Sequence, residues 1–248
     1  MARRIRALAV PMGLVLLICL SFGIPKPAGR VAAAASGQIT GTVKLDGVAP
    51  KAKVIDMSKE PSCAKVHAST PATMENVVVG PAGGLANVVI YLSEGYTGSD
   101  AVATQPARLE QKGCQYVPHV IAVDVGQKLT ITNDDQTSHN IHPMPKAGGN
   151  QEWNKSQLGG SAPIEVSYNA PEVAVPVKCN VHPWMHAYIA VVKGPYAVTD
   201  DSGAFKLDYV PPGTYTLTAW QETYGTQTAK VAVALGKPAT VDFTFKAK

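Results

Sequence analysis

The chain has 248 residues, 46% of them hydrophobic, with 22 basic and 18 acidic side chains and a formal net charge of +4. Five of the basic residues and none of the acids lie in the first 35 positions, which leaves 17 basic against 18 acidic residues, a net of −1. A near-neutral body of about 210 residues argues against nucleic-acid binding and suffices for two small domains or one large β-sandwich.

At the start, Arg3, Arg4 and Arg6 precede an apolar run over 8–24 that Pro11 interrupts, then alanines over 32–35. This is the pattern of an export signal, with cleavage expected after Ala35 and no membrane span in the mature chain. The run is too short and too broken for a good membrane anchor. The expected location is the periplasm or another exported compartment. Beyond it, GQITGTVKL alternates from Gly37 and ends at the Asp46-Gly47 turn. A stretch rich in Pro, Lys and Ser follows, holding Cys63 and His67, and reads as a long irregular loop. LANVVIYL over 85–92 reads as a buried strand, and 93–104 as a linker or exposed loop. YVPHVIAV, KLTITN, IEVSYN, VAVPVKC and HAYIAVV then read as strands, with little regular structure expected over 146–160. After Gly194, YAVTDDSGAFKLDYVPPGTYTLTAWQETYG, VAVAL and ATVDFTF continue the pattern. Val and Thr are frequent, Gly and Pro number 22 and 19, and no long helical period occurs. The expected fold class is all-β.

Chemistry concentrates in KCNVHPWMHAYIAV, where Cys179, His182 and Met185 are spaced Cys-x2-His-x2-Met. NDDQTSHNIH supplies His139 from a separate segment. Two imidazoles, one thiolate and one thioether are the donor set of a blue-copper site, with the thioether as the weak axial ligand. Three cysteines remain after the signal: Cys63, Cys114 and Cys179. If Cys179 is the copper thiolate, Cys63 and Cys114 are free to form a disulfide, which an oxidising compartment permits. A second metal site built from Cys63, Cys114, His67 and His119 is the alternative, though its spacings are irregular for structural zinc. His142 and His186 adjoin the ligands. His186 follows Met185 on strand-like backbone and therefore faces the other way. Both read as solvated histidines, with a second copper as the sharper alternative. Asp134 and Asp135 read as turn residues. No Ser/His/Asp trio, paired carboxylates or phosphate loop occurs, so no enzyme activity is expected.

Residues of about 105–193 resemble the cupredoxins, the amicyanin- and plastocyanin-like blue-copper modules. The likeness rests on Cys179, His182, Pro183, Trp184 and Met185 in the ligand loop and on TITNDDQTSHNIH before it. It implies a Greek-key sandwich holding one copper ion, cycling between Cu(I) and Cu(II), on His139, Cys179, His182 and Met185. It also implies that Asn140 ties the two ligand loops together, as the residue after the first ligand does in that family. The insert at 146–160 departs from the family pattern. Residues 194–248, through TDDSGAF, PPGTYTLTAW and VDFTF, resemble the carboxypeptidase regulatory-like β-sandwich, an Ig- or transthyretin-like fold. That family's opening strands look like GTVKLDG and LANVVIYL, on the other side of the copper module. The expected organisation is one discontinuous sandwich, 36–104 plus 194–248, with residues 105–193 inserted; two tandem domains are the rival.

The function expected is single-electron transfer between a donor and an acceptor protein. Pro183, Trp184 and Met144 would form an apolar docking rim around the exposed edge of His182. His182 is expected near the surface, so the reduction potential is expected to rise as acid protonates it in the reduced state. A copper store or carrier is one alternative. The other is a surface sandwich that recognises a glycan or a protein, with copper incidental.

Overall fold

The computed structural model describes residues 36–98 and 103–247. The expected export signal, residues 1–35, lies outside the described residues. Among the described residues no helix is long and apolar enough to cross a membrane. The fold is nearly all β. Its strands begin with β1 (Gly37–Asp46) and β2 (Val89–Glu94), separated by a short helix, α1 (Pro61–Val66). The middle of the chain forms β3 (Ala107–Lys112), β4 (Gln115–Val117), β5 (Val120–Asp124), β6 (Leu129–Asn133), β7 (His139–Pro143), β8 (Lys155–Gln157), β9 (Ile164–Val166), β10 (Glu172–Lys178) and β11 (His186–Val192). The last part adds β12 (Tyr196–Val198), β13 (Ala204–Val210), β14 (Gly213–Gln221), β15 (Gly225–Val233), β16 (Pro238–Thr240) and β17 (Phe243–Lys246).

These strands make four sheets. β1 is central in the first, antiparallel to β13 and parallel to β16 and β17. The second runs β12-β2-β14-β15, the third β5-β11-β10-β7-β8 and the fourth β4-β3-β6-β9. Three apolar layers separate them. Ile39, Val43, Phe205, Leu207 and Phe245 of the first sheet pack against Ile90, Leu92, Leu217 and Val231 of the second. Val89, Tyr91, Tyr196 and Trp220 of the second meet Val120, Tyr188, Ala190 and Val192 of the third. Ile141, Val175, Val177 and Ile189 of the third meet Leu109, Ile131 and Val166 of the fourth. The described residues thus form four sheets stacked face to face.

The period of two explains how two sheets serve two layers each. Along β2, Val89 and Tyr91 face one layer while Ile90 and Leu92 face the other. Along β11, Ile189 and Val191 enter the outer layer, and Ala190 and Val192 the middle one. Continuous apolar runs such as VVIYL and YIAVV are what burial on both faces requires. In β1 the outward Lys44 and Asp46 are exposed and the inward Val43 and Leu45 buried. Gly41 marks the tightest approach: a Cβ there would lie 1.7 Å from the carbonyl oxygen of Val241.

The structure differs from the sequence reading in three places. The stretch over 116–123 is not one strand but two, β4 and β5, broken at a cis peptide bond before Pro118. The insert over 146–160 contains β8, which extends the third sheet as the edge partner of β7. The connection from β1 to β2 is not an irregular loop beside its own sandwich. Met57, Cys63 and Ala72 join the core between the third and fourth sheets, with α1 lying over that module.

Candidate metal centre

Two loops beside the third sheet bring His139, Cys179 and His182 together. All three side chains are buried, and their ligand atoms lie within 4.8 Å of one another. The first loop is shaped by Asn133, the last residue of β6, which is 2% exposed. Its Nδ2 donates to the carbonyls of Thr137 (2.9 Å) and Gln157 (2.8 Å), and its Oδ1 accepts from the Asp135 amide (3.1 Å). That fixes the loop so that His139 opens β7 facing inward. The second loop is closed by its own backbone. The Cys179 amide donates to the Met185 carbonyl (3.1 Å) and the Met185 amide to the His182 carbonyl (2.9 Å). Cys179, His182 and Met185 therefore sit on one tight turn between β10 and β11. Met185 is 1% exposed and belongs to the same core cluster as Cys179.

The donor atoms are arranged for a cation. Nδ1 of His139 and Nδ1 of His182 face each other at 2.8 Å, and Cys179 Sγ lies 3.7 Å from the latter. Burial pushes the Cys179 thiol up, but the His139 hydrogen bond and the amides of Asn140, Val181 and His182 outweigh it and hold the thiol below its ordinary value. One of these contacts is the Asn140 amide, which donates to Sγ at 3.3 Å. Burial likewise works against the charged form of His139, and the Asp135 carboxylate and Cys179 more than offset it. His182 is moved the other way: burial, then the neighbouring His139, lowers its pKa.

Asp135 is the residue the sequence reading missed. Its carboxylate accepts from His139 Nε2 (2.8 Å) and from the amides of Gly113 (2.6 Å) and Cys114 (2.7 Å). Burial raises its pKa, yet these three donors keep it below the usual carboxylate range. Holding Nε2 in this way leaves Nδ1 of His139 for a metal, the arrangement in which an outer carboxylate sets a ligand's tautomer. The available signal was an acid four residues before a ligand histidine, which a DD pair in a loop conceals.

Other expectations are revised by the geometry. His182 is 2% exposed, not edge-on to solvent; the rings of His139 and Trp184 pack beside it and its Nε2 lies 3.8 Å from Glu60 at the start of α1. Of the proposed rim, Pro183 is exposed while Trp184 and Met144 are half-buried, with Trp184 Nε1 donating to the Cys114 carbonyl at 3.0 Å. Asn140 contacts the second loop through its amide, whereas its side chain donates to Asn154 at 3.2 Å. Cys63 and Cys114 are joined as a disulfide, so neither is available to a cation, and Cys179 is the free cysteine of the described residues. His67 bonds the Gly113 carbonyl at 2.7 Å, away from His119. His142 pairs with Glu152 at 2.7 Å at the surface. His186 is not solvated: it packs against His119 and Glu222 on the opposite face from Met185.

Comparison with known proteins bears on the last quarter of the chain. Residues 182–246 match the family model of the carboxypeptidase regulatory-like domain. No curated protein matches the sequence. Among solved structures, a copper-containing nitrite reductase from Thermus scotoductus is similar at 19% identity over 40% of this chain, with a TM-score of 0.33. This chain spans 25% of that reductase. A purple cupredoxin from Nitrosopumilus maritimus aligns at 25% identity over 35% of this chain and 99% of its own, with a TM-score of 0.30. An oxidised amicyanin variant aligns at 15% identity over 42% of this chain and 98% of its own, with a TM-score of 0.32. At TM-scores this low the likeness carries no weight, and the case for the centre rests on its side chains. The regulatory-like match includes β11, which pairs in the third sheet, as well as the strands from β12 to β17.

Proposed function

We propose that this chain is an exported copper protein that passes single electrons between a donor and an acceptor protein. The observation that supports it is the convergence of two Nδ1 atoms on a buried thiol already held toward its thiolate form. With no thiolate the set would suit many cations, and with no imidazole it would suit a disulfide or a soft cluster. Together with Met185 it suits copper. Copper bound there would supply a Cu(I)/Cu(II) couple. The residues supply rigidity: Asp135 and Asn133 hold one loop, the Cys179–Met185 turn holds the other, and the core fixes both. Ligands that cannot rearrange suit both oxidation states nearly equally, so little reorganisation opposes electron transfer. Partner proteins would meet the exposed rim at Pro183, since His182 itself is covered.

The copper module is read as an insertion, residues 105–193, in a sandwich assembled from 36–104 and 194–248. The pairing of β1 with β13, β16 and β17, and of β2 with β14, supports this reading. Titration of the purified protein with Cu(II), followed by visible and EPR spectroscopy, tests the function. One equivalent is expected to produce an intense thiolate-to-copper absorption. Several coppers without that colour would favour a copper store, and no uptake would leave a sandwich that recognises a glycan or protein.

A further inference from the structure

A second cluster of metal-ligating side chains lies at the contact between the two modules. His119 sits in the turn between β4 and β5, His186 opens β11, and Glu222 lies in the turn from β14 to β15. Their ligand atoms lie within 4.8 Å of one another. The side chains of His119 and Glu222 are each 4% exposed. His119 Nε2 is in hydrogen-bond contact with Glu222 Oε1, and His186 Nε2 lies 3.7 Å from Oε2. The two rings stand edge to face, with centroids 4.9 Å apart.

Three details favour a ligand set over a plain ion network. His186 Nδ1 lies 3.1 Å from the Trp184 carbonyl, so it is the nitrogen that carries the proton, and the Nε2 lone pair is left facing Glu222. Asn76 Nδ2 bridges the two ligands, donating to Glu222 Oε2 at 2.9 Å and lying 3.2 Å from His186 Nε2, and so holds the carboxylate and the imidazole beside each other. A small cavity of about 10 Å³, lined by His119, His186 and Glu75, has room for one water-sized fourth ligand beside the two imidazoles.

We propose that His119, His186 and Glu222 form a second metal site, for a zinc-class divalent cation, that clasps the copper module to the regulatory-like sandwich. Two imidazoles and one carboxylate with room for a water match zinc-type coordination. The imidazoles set the site apart from the all-oxygen cages of calcium and magnesium. The clasp joins separate parts of the chain, since Glu222 and Asn76 belong to segments flanking the module that carries both histidines. The site shares no ligand with the copper centre, and its test reads independently of it.

The test uses the chain without residues 1–35 and with the first centre disabled by His139→Ala and Cys179→Ser. Zn²⁺ is added at micromolar concentration and stoichiometry is read by native mass spectrometry. One Zn²⁺ per chain is expected, and none once Glu222→Gln or His119→Gln is added. No uptake in the disabled background, or equal uptake with Glu222→Gln, would overturn the site. The otherwise wild-type chain with Co²⁺ gives a check that does not depend on that background folding. Cobalt d–d bands that survive Cys179→Ser and vanish with His119→Gln sustain the proposal. Cobalt seen solely through thiolate charge transfer refutes it.

Discussion

At the scale of single residues, the centre divides into atoms that would touch copper and atoms that hold those atoms still. Cys179→Ser is expected to abolish the intense visible absorption, because a hydroxyl cannot provide thiolate-to-copper charge transfer. Met185→Gln should keep a thiolate chromophore, alter its spectrum and lower the potential, since an amide oxygen favours Cu(II). His142→Ala should leave the spectrum unchanged; a shift comparable to that of Met185→Gln would refute the ligand assignment. Asp135→Asn tests the holding atoms. It should weaken copper binding by about 10- to 100-fold, read by competition with a chelator, because His139 loses the carboxylate charge behind it and the amide nitrogen cannot accept from the backbone donors that both carboxylate oxygens now satisfy. His139, Cys179, His182 and Met185 could be singled out from sequence because each donor type is rare and their spacing is tight. Asp135 could not, since aspartate in a loop is ordinary turn chemistry. His119, His186 and Glu222 were harder still: no local spacing links residues on different modules.

At the scale of elements, the connection over 47–88 does more than join two strands. Cys63 on α1 is bonded to Cys114 beside β4, across a separation of 51 residues. The same helix places Glu60 against His182. Closing a loop of that length stabilises the fold by ~4 kcal/mol in the chain-entropy picture. Denatured, metal-free protein lacking residues 1–35 should therefore show one titratable thiol, that of Cys179; three would refute the bridge. Cys63→Ala with Cys114→Ala should let α1 lift, and chelators should then strip copper faster than from the wild type at equal temperature. Because His182 is buried, the rise of potential with acid that an exposed histidine would give is not expected; a flat potential from neutral to mildly acidic pH is. Gly41 is the counterpart in the other module. Gly41→Ala should cost about 2–3 kcal/mol and lower Tm by roughly 5–10 °C, because β1 and the Val241 carbonyl cannot both keep their places. The alternating pattern of β1 and the apolar runs of β2 and β11 were readable as strands. The helix over 61–66 was not, being six residues long and held by a bridge and by packing rather than by an amphipathic period.

At the scale of the whole molecule, four stacked sheets share three apolar layers, and the middle one joins the modules. That layer was the least legible feature, because the residues that fill it are the same β-branched and aromatic types that fill any core. The order of the strands was legible only through the likeness of GTVKLDG and LANVVIYL to opening strands of a sandwich whose remainder lies far downstream. This arrangement has a consequence in time. The Thr42 amide donates to Asp242, 200 residues further along. Strands β3 to β11 pair only among themselves, whereas β1 finds its partners at the end of the chain. Long-range pairing of this kind closes slowly, and larger chains assemble unit by unit. During refolding, the fluorescence of Trp184 should recover before that of Trp220; simultaneous recovery would show that both modules condense in one step. Until β17 arrives, GQITGTVKL is an unpaired edge, open to any other strand it meets. The first described strand has its second edge covered only when the last one is made, and the interval between is when this protein is most exposed to aggregation.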